Sequence, residues 1–184
     1  MIATLKPIAF WAGTHSVHYL THDDIPQVQE LLERCQEFWW ISEGQRVPAD
    51  AASSNFADGP PNYDPSRMIY LGTYSPVGRL VGFLTTPPDY PEEGDWYIGL
   101  MVLEPNARGR GLGEAVYRAF EDWVASQGGR RVLLAVVDDN PRGRNFWERV
   151  GFTPLRIVAP RLHGVKTQGM LEMERRVNAA QAAG

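Results

Sequence analysis

Arg108-Gly109-Arg110-Gly111-Leu112-Gly113 is the run whose residue types can do chemistry. Glycines let a backbone approach a phosphate with no Cβ in the way. The arginines add positive charge. Leu112, Val116, Ala119, Phe120, Trp123 and Val124 then recur at three- and four-residue spacing, so a helix with one apolar face starts at Leu112. The first N–H groups of a helix have no internal partner, and the helix dipole adds partial positive charge there. A glycine-rich turn at such a start is an anion site, and a pyrophosphate would fit the N–H groups of Gly109 to Glu114. Two other phosphate motifs are excluded. A P-loop needs Gly, four residues, then Gly-Lys-Ser/Thr, which is absent. In the pattern G-x-G-x-x-G the third glycine falls on Glu114 when counted from Gly109, and on Val116 when counted from Gly111.

The elements that must position this turn are legible around it. Eight uncharged residues, Trp96 to Leu103, suit a strand covered on both faces. Glu104-Pro105-Asn106 ends it. Arg131 to Val137 is a second apolar run, hence a second buried strand. Asp138-Asp139-Asn140-Pro141 is a turn, and Arg142 to Val150 a short helix. Gly151 suits the position just past a helix C-terminus, where φ > 0 is favoured. The helix from Leu112 to Gln127 links the two strands, and such a connection favours parallel pairing.

Arg108, Gly111 and Gly113 fill the pattern Arg-x-x-Gly-x-Gly, and Asn145-Phe146-Trp147-Glu148-Arg149-Val150-Gly151-Phe152 closes a helix with Gly-Phe. Together these resemble the two signatures of the GNAT superfamily of N-acetyltransferases, from about Trp96 to Phe152. The resemblance implies an α/β fold: a mixed, mostly antiparallel sheet flanked by helices on both faces. It implies acetyl-CoA as co-substrate, no metal, and acetyl transfer to a primary amine, either a small molecule or an amino terminus. It places the pyrophosphate at Arg108, Gly109, Arg110, Gly111, Leu112, Gly113 and Glu114. The pantetheine arm would lie along Met101, Val102 and Leu103 like an added strand. A backbone N–H near Met101 would stabilise the oxyanion. Gly99 marks either a bulge that splays this strand from its neighbour or a point of tight packing.

Proton handling departs from the family. An alkyl ammonium, with a pKa of about 10.4, must lose a proton before it attacks. Many members carry a Tyr general acid seven residues after an Asn; here Asn140 is followed by Trp147, whose indole is no useful donor. Trp147 is expected to pack against the cofactor arm. The thiolate then leaves unassisted, a thiol titrating near 8.5, or takes its proton from water or another side chain. Asn140 either bonds the cofactor or is a turn residue. Tyr97 shares a face with Met101 and is a candidate base or water relay, its alternative being a plain core or surface tyrosine. Asp95 and His163 are further candidates; Glu104 is badly placed. A protein that kept the cofactor cleft but lost its proton donor, a non-catalytic acyl-CoA-binding module, is the competing reading.

The rest of the 184-residue chain suits one domain, residues 1–184, with irregular tails at 1–15 and 178–184. Residues 1–15 read as a tail or an extra edge segment. A net charge of −4 and a pI near 5.6 argue against nucleic-acid binding. No run reaches the length of a membrane span, and the first residues lack the apolar centre of a signal peptide. One cysteine suits a reducing cytoplasm. Val17 to Leu20 reads as a strand, and Thr21 starts a helix that runs to about Trp40, with Cys35 on its apolar stripe. Residues 42 to 66 read as a loop, and the resemblance implies that it forms one wall of the acceptor site. Phe38, Trp39, Trp40 and Phe56 are either pocket or core, with Phe38 and Trp39 favoured as core and Trp40 and Phe56 as pocket candidates. Met68–Tyr74 and Leu80–Thr85 form a hairpin. Strands at Thr153–Val158 and Met170–Val177 flank a loop at Arg161–Gln168. The resemblance leaves a homodimer open, since the family often forms dimers through these last strands.

Overall fold

The computed structural model describes residues 6–177. The tail predicted at 178–184 lies outside them, as do residues 1–5. Among the described residues, nine strands form two sheets. Strands β1 (Ile8–Ala12), β2 (His15–Tyr19), β3 (Ile69–Tyr74), β4 (Leu80–Thr86) and β6 (Leu100–Leu103) make an antiparallel sheet in that order. Strands β5 (Asp95–Ile98), β7 (Arg131–Val137), β9 (Lys166–Arg176) and β8 (Thr153–His163) make the second, in which only β5 and β7 are parallel. The segment at Ile8–Ala12 is thus the extra edge strand, paired with β2.

Helices cover both faces. Helix α4 (Leu112–Ser126) and helix α5 (Pro141–Arg149) bury Tyr117, Phe120, Val124, Trp147 and Val150 against Leu71, Leu84, Ile98, Val132 and Leu134. On the opposite side, helices α1 (Ile25–Arg34), α2 (Gln36–Ser42) and α3 (Ala51–Ala57) bury Val28, Leu31, Leu32, Trp39 and Phe56 against Tyr70, Phe83, Leu100 and Val102. Leu71 and Leu84 are register partners on one face of the sheet. Tyr70 and Phe83, one residue along each strand, point to the other.

Three local expectations are corrected. The helix predicted through Trp40 breaks at Cys35, whose N–H donates to both Leu31 and Leu32 carbonyls and turns the chain into α2. The loop predicted over 42–66 contains α3, stabilised because Ala51, Ala52 and Phe56 bury one face. The loop predicted at Arg161–Gln168 is instead the two arms of the β8–β9 hairpin, turning at Gly164-Val165. Its tip is tied to α2: Val165 N–H donates to Glu43 O, and the Gln168 side chain caps the Ile41 and Ser42 carbonyls.

The strand predicted from Trp96 to Leu103 is divided at Gly99 between the two sheets. Leu100 faces Thr85 in the ladder, and Gly99 N–H also donates to Thr85 O at 3.0 Å, so two residues oppose one. That is a β-bulge. Any Cβ on Gly99 would stand 2.9 Å from Thr85 Oγ1, so the tight packing and the bulge hold together. Before the bulge, β5 runs parallel to β7 as far as Ile98–Leu134. After it, β6 pairs only with β4, and the two sheets part as a cleft.

Candidate active site

One side of the cleft is the free edge of β6. Glu104 N–H donates to Val81 O, and the same register makes Val102–Phe83 and Leu100–Thr85 the hydrogen-bonded pairs. Alternation then turns the N–H groups of Met101 and Leu103 away from β4 and into the cleft. The Leu103 carbonyl confirms the direction, for it accepts from Arg108 Nε at 2.7 Å and from Cys35 Sγ at 3.5 Å. Side chains of Met101 and Leu103 pack toward Leu112 and Val116 of α4, whereas Val102 is buried on the opposite face.

At the open end of this edge stands the glycine turn. Gly109 (φ +79°) and Gly111 (φ +81°) adopt left-handed conformations, and a Cβ at either would meet no atom within 4 Å. Both are exposed. Open space on an outward backbone is a cradle, not a packing constraint. The first intrahelical bond of α4 runs from Ala115 N–H to Gly111 O, so the N–H groups of Leu112, Gly113 and Glu114 precede it. Turn, helix start and free strand edge fit a pyrophosphate followed by an amide-bearing arm.

The arginines divide. Arg110 is exposed beside the turn. Arg108 is an internal tie: besides the Leu103 carbonyl it donates to Glu37 Oε2 of α2 at 2.8 Å, and Arg142 of α5 lies 3.9 Å from the same carboxylate. Of the two arginines expected to add charge for the phosphate, Arg108 is thus engaged within the protein and Arg110 is left exposed. Replacing Arg110 by Glu should weaken acetyl-CoA binding roughly 30-fold with an unchanged melting temperature, since only an exposed charge is reversed. Calorimetry at low salt reads the first and a thermal melt the second.

Trp147 also stands elsewhere than expected. It is 9% exposed and meets Tyr117, Phe146 and Phe152 edge-on, inside the core. Its neighbour Phe146 is the aromatic that reaches toward the turn, 3.3 Å from where a Gly113 Cβ would be. Asn140 is the α5 cap, its Oδ1 accepting from Gly143 N–H at 2.9 Å. That is the turn-residue alternative. Cys35 is fully buried, and burial holds its thiol above the ordinary pKa, as for a core residue.

On the other side of Gly99 lies a cavity of about 740 Å³. Its inner wall is Thr85, Tyr97, Gly99 and Leu133; the outer wall includes Asn55, Asp58 to Pro61 and the β8–β9 hairpin. The segment predicted to wall the acceptor site contributes Asn55 and Asp58 to Pro61 to the wall of this cavity. Its aromatic candidates do not. Phe56 is 3% exposed, stacked 4.1 Å from Tyr70 and 5.9 Å from Phe83. Trp40 is half exposed and lies outside the cavity. Phe38 and Trp39 pack in the core as favoured. Polar lining came instead from residues no motif marked: Thr85, Arg156, Arg161 and Glu172. Alternation on β9 with known ends would have placed Met170 and Glu172 on one face; the sequence offered no other signal.

Glu172 receives two hydrogen bonds from Arg156, one of 3.0 Å to Oε1. Its charge, after burial, raises the pKa of Tyr97, which reaches about 12. Tyr97 therefore keeps its proton at neutral pH and can donate a hydrogen bond; it lines the cavity, whereas Met101 packs toward α4, so the face expected to be shared by the two is split by the bulge at Gly99. The folded pKa lies above the ordinary value near 10, so the stabilisation is complete below pH 10 and lost as pH rises to 12. The difference corresponds to about 3 kcal/mol. Comparing unfolding of the wild type and Tyr97→Phe between pH 9 and 12 should show the wild type losing more stability by that order. The other base candidates are engaged elsewhere. Asp95 is buried against Arg131 at 2.5 Å, and Glu104 against Arg34 and Arg79. His163 accompanies Arg161 near the hairpin tip.

The site is thus a bulged strand with an open glycine turn at a helix start on one side and a cavity on the other. The model of the acetyltransferase (GNAT) family matches residues 25–152, and the chain belongs to that family. A mycothiol acetyltransferase of Mycobacteroides abscessus is 29% identical over 151 residues, covering 82% of this chain and 49% of that protein. The chain thus spans about half the length of that relative. Among solved structures, the Salmonella typhimurium acetyltransferase that modifies the N-terminal serine of ribosomal protein L7/L12 superposes with a TM-score of 0.72 at 17% identity, over 91% of this chain and 98% of that one. Spermidine N-acetyltransferase of Vibrio cholerae, in complex with CoA and spermine, gives 0.69 at 13% identity over 89% and 96%. These two likenesses are of fold. Among the described residues no helix is long and apolar enough to cross a membrane, and no three His, Cys, Asp or Glu side chains cluster to hold a metal.

Proposed function

We propose that residues 1–184 form a single acetyl-CoA-binding domain that transfers the acetyl group to a primary amine, on a small molecule or an amino terminus. The observation that carries this is the bulge at Gly99. It gives one strand two open sides, a free N–H edge toward the glycine turn and a cavity wall toward the acceptor. Acetyl-CoA, when bound, supplies a thioester carbonyl. The N–H groups of Leu112, Gly113 and Glu114, with Arg110, hold the pyrophosphate. Met101 and Leu103 N–H groups orient the arm, and Met101 N–H faces the carbonyl oxygen as charge develops there. Tyr97, protonated, is positioned to donate toward the departing thiolate or to relay through water. The acceptor ammonium, drawn into the cavity beside the Glu172–Arg156 pair, gives its proton to water, and the free amine forms the C–N bond as the thioester C–S bond breaks. The buried Cys35 thiol and the acetyl-CoA requirement accord with a cytoplasmic setting.

Binding of acetyl-CoA by calorimetry, with NAD and ATP as controls, tests the first half. Mass-spectrometric scoring of an amine panel tests the second. Mycothiol-related amines belong in that panel because of the relatives named above. A micromolar response to acetyl-CoA with no product from any amine would favour a non-catalytic acyl-CoA-binding module. Trp147 at the usual tyrosine position is the observation on that side. No response to acetyl-CoA overturns both.

A further inference from the structure

Two guanidiniums on β8 line the cavity, and their surroundings differ. Arg156 is neutralised by Glu172. Arg161 has no carboxylate partner among the described residues; its Nε donates to His163 Nε2 at 3.3 Å. That contact needs a lone pair on Nε2, hence a neutral ring. Burial, with the Arg161 charge beside it, holds the His163 pKa below its ordinary value and keeps the ring neutral. With Nε engaged by an uncharged partner, the two Nη groups remain as a planar fork, the geometry that grips a carboxylate. Arg161 also lowers the Tyr97 pKa, so its charge faces the same space as the reacting centre.

The register sets the spacing. Ile98 pairs with Leu134, which puts Gly99 level with Ala135, and Ala135 faces Glu172. Arg161 faces Gln168. Four residues of β9 separate the two levels, about 13 Å along the strand before the arginine side chain leans back. In a free α-amino acid one carbon carries both charges, and it cannot reach from one level to the other. Two or three extended residues, at about 3.3–3.6 Å each, can.

Resting on the amine-acetylation reading above, we infer that Arg161 anchors an acceptor carboxylate, and that the acceptor is a short peptide-like amine with that carboxylate two or three extended residues from the amino group. Asn55 and Asp58 on the facing wall supply acceptors for the intervening N–H groups.

The test is competition for acetylation between a mixed tripeptide library with free carboxylates and its C-terminally amidated twin, with free amino acids as a third arm. The wild type should prefer the free carboxylates roughly five- to tenfold in kcat/KM, an anion held at an exposed cavity mouth being worth no more. Arg161→Gln should erase that preference through KM, leaving kcat and acetyl-CoA affinity unchanged, and Arg161→Lys should restore part of it. Equal use of both libraries by the wild type overturns the inference. So does an Arg161→Gln variant that loses both libraries alike, or free amino acids outcompeting tripeptides. If all three arms are silent while other amines in the panel are acetylated, the inference falls and the amine reading stands. If every amine is silent, both fall.

Discussion

Met101→Pro should lower kcat by about 100- to 1000-fold while acetyl-CoA still binds, the loss expected on removing one donor from an oxyanion site. Proline removes a backbone N–H and little else from an extended strand. At most strand positions that would break a ladder bond. At Met101 the ladder is untouched, because the hydrogen-bonded pairs with β4 are Leu100–Thr85 and Val102–Phe83. Leu100, the residue before, already lies in a strand, as proline demands of its neighbour. Met101→Leu serves as the control for lost side-chain packing against α4 and should keep near-normal kcat. Single-turnover rates at saturating acetyl-CoA read the chemical step directly. A Met101→Pro protein that folds and retains kcat within threefold of the Met101→Leu control would show that this N–H does not face the reacting oxygen.

Phe56→Ala should cost about 3–5 kcal/mol of stability, the range for truncating a buried aromatic. For a chain of this size that is a fall in Tm of about 6 to 20 °C. The ring lies between Tyr70 and Phe83 where α3 meets the larger sheet, and the Tyr70 hydroxyl donates to the Phe56 carbonyl at 3.0 Å. Removing it leaves a void under the helix that carries Asn55 into the cavity wall. Phe56→Leu, which keeps most of the volume, should recover most of the loss. Thermal melts check the stability. An unchanged Tm with a raised KM for the amine would mean that Phe56 lines the acceptor path after all and that the core assignment is wrong.

Much of the cofactor side was legible because its signals are local. Gly109 and Gly111 occupy φ values that favour glycine, and the apolar stripe from Leu112 fixes where the helix begins. Continuous apolar runs gave β7 at its observed bounds and most of β5 and β6. Elsewhere composition misled. Residues 51–57 read Ala-Ala-Ser-Ser-Asn-Phe-Ala, and Ser and Asn favour turns when nothing packs on them. Burial of one face by α1 and the sheet overrides that preference. Arg161 to Gln168 is polar and mostly exposed because β8 is an edge strand, and only its pairing with β9 makes it extended.

Side-chain roles followed the same division. Arg108 and Arg110 are indistinguishable as letters; which one is left free for a phosphate depends on Glu37, 71 residues away from Arg108. Neighbouring aromatics were likewise interchangeable on paper, yet Trp39 is core and Trp40 exposed, and Trp147 is core while Phe146 reaches the turn. Each sits about 100° around its helix from its neighbour.

By itself the sequence determined the glycine turn, the helix behind it and the buried strands that flank it, because backbone conformation and apolar periodicity are properties of a few adjacent residues. Only the tertiary structure decided where the cavity beside Gly99 lies and what charges line it. Its walls come from Asn55 to Pro61, Thr85 to Gly99, Leu133 and the β8–β9 hairpin, and no local rule sets the distance between segments that meet only after the chain has packed.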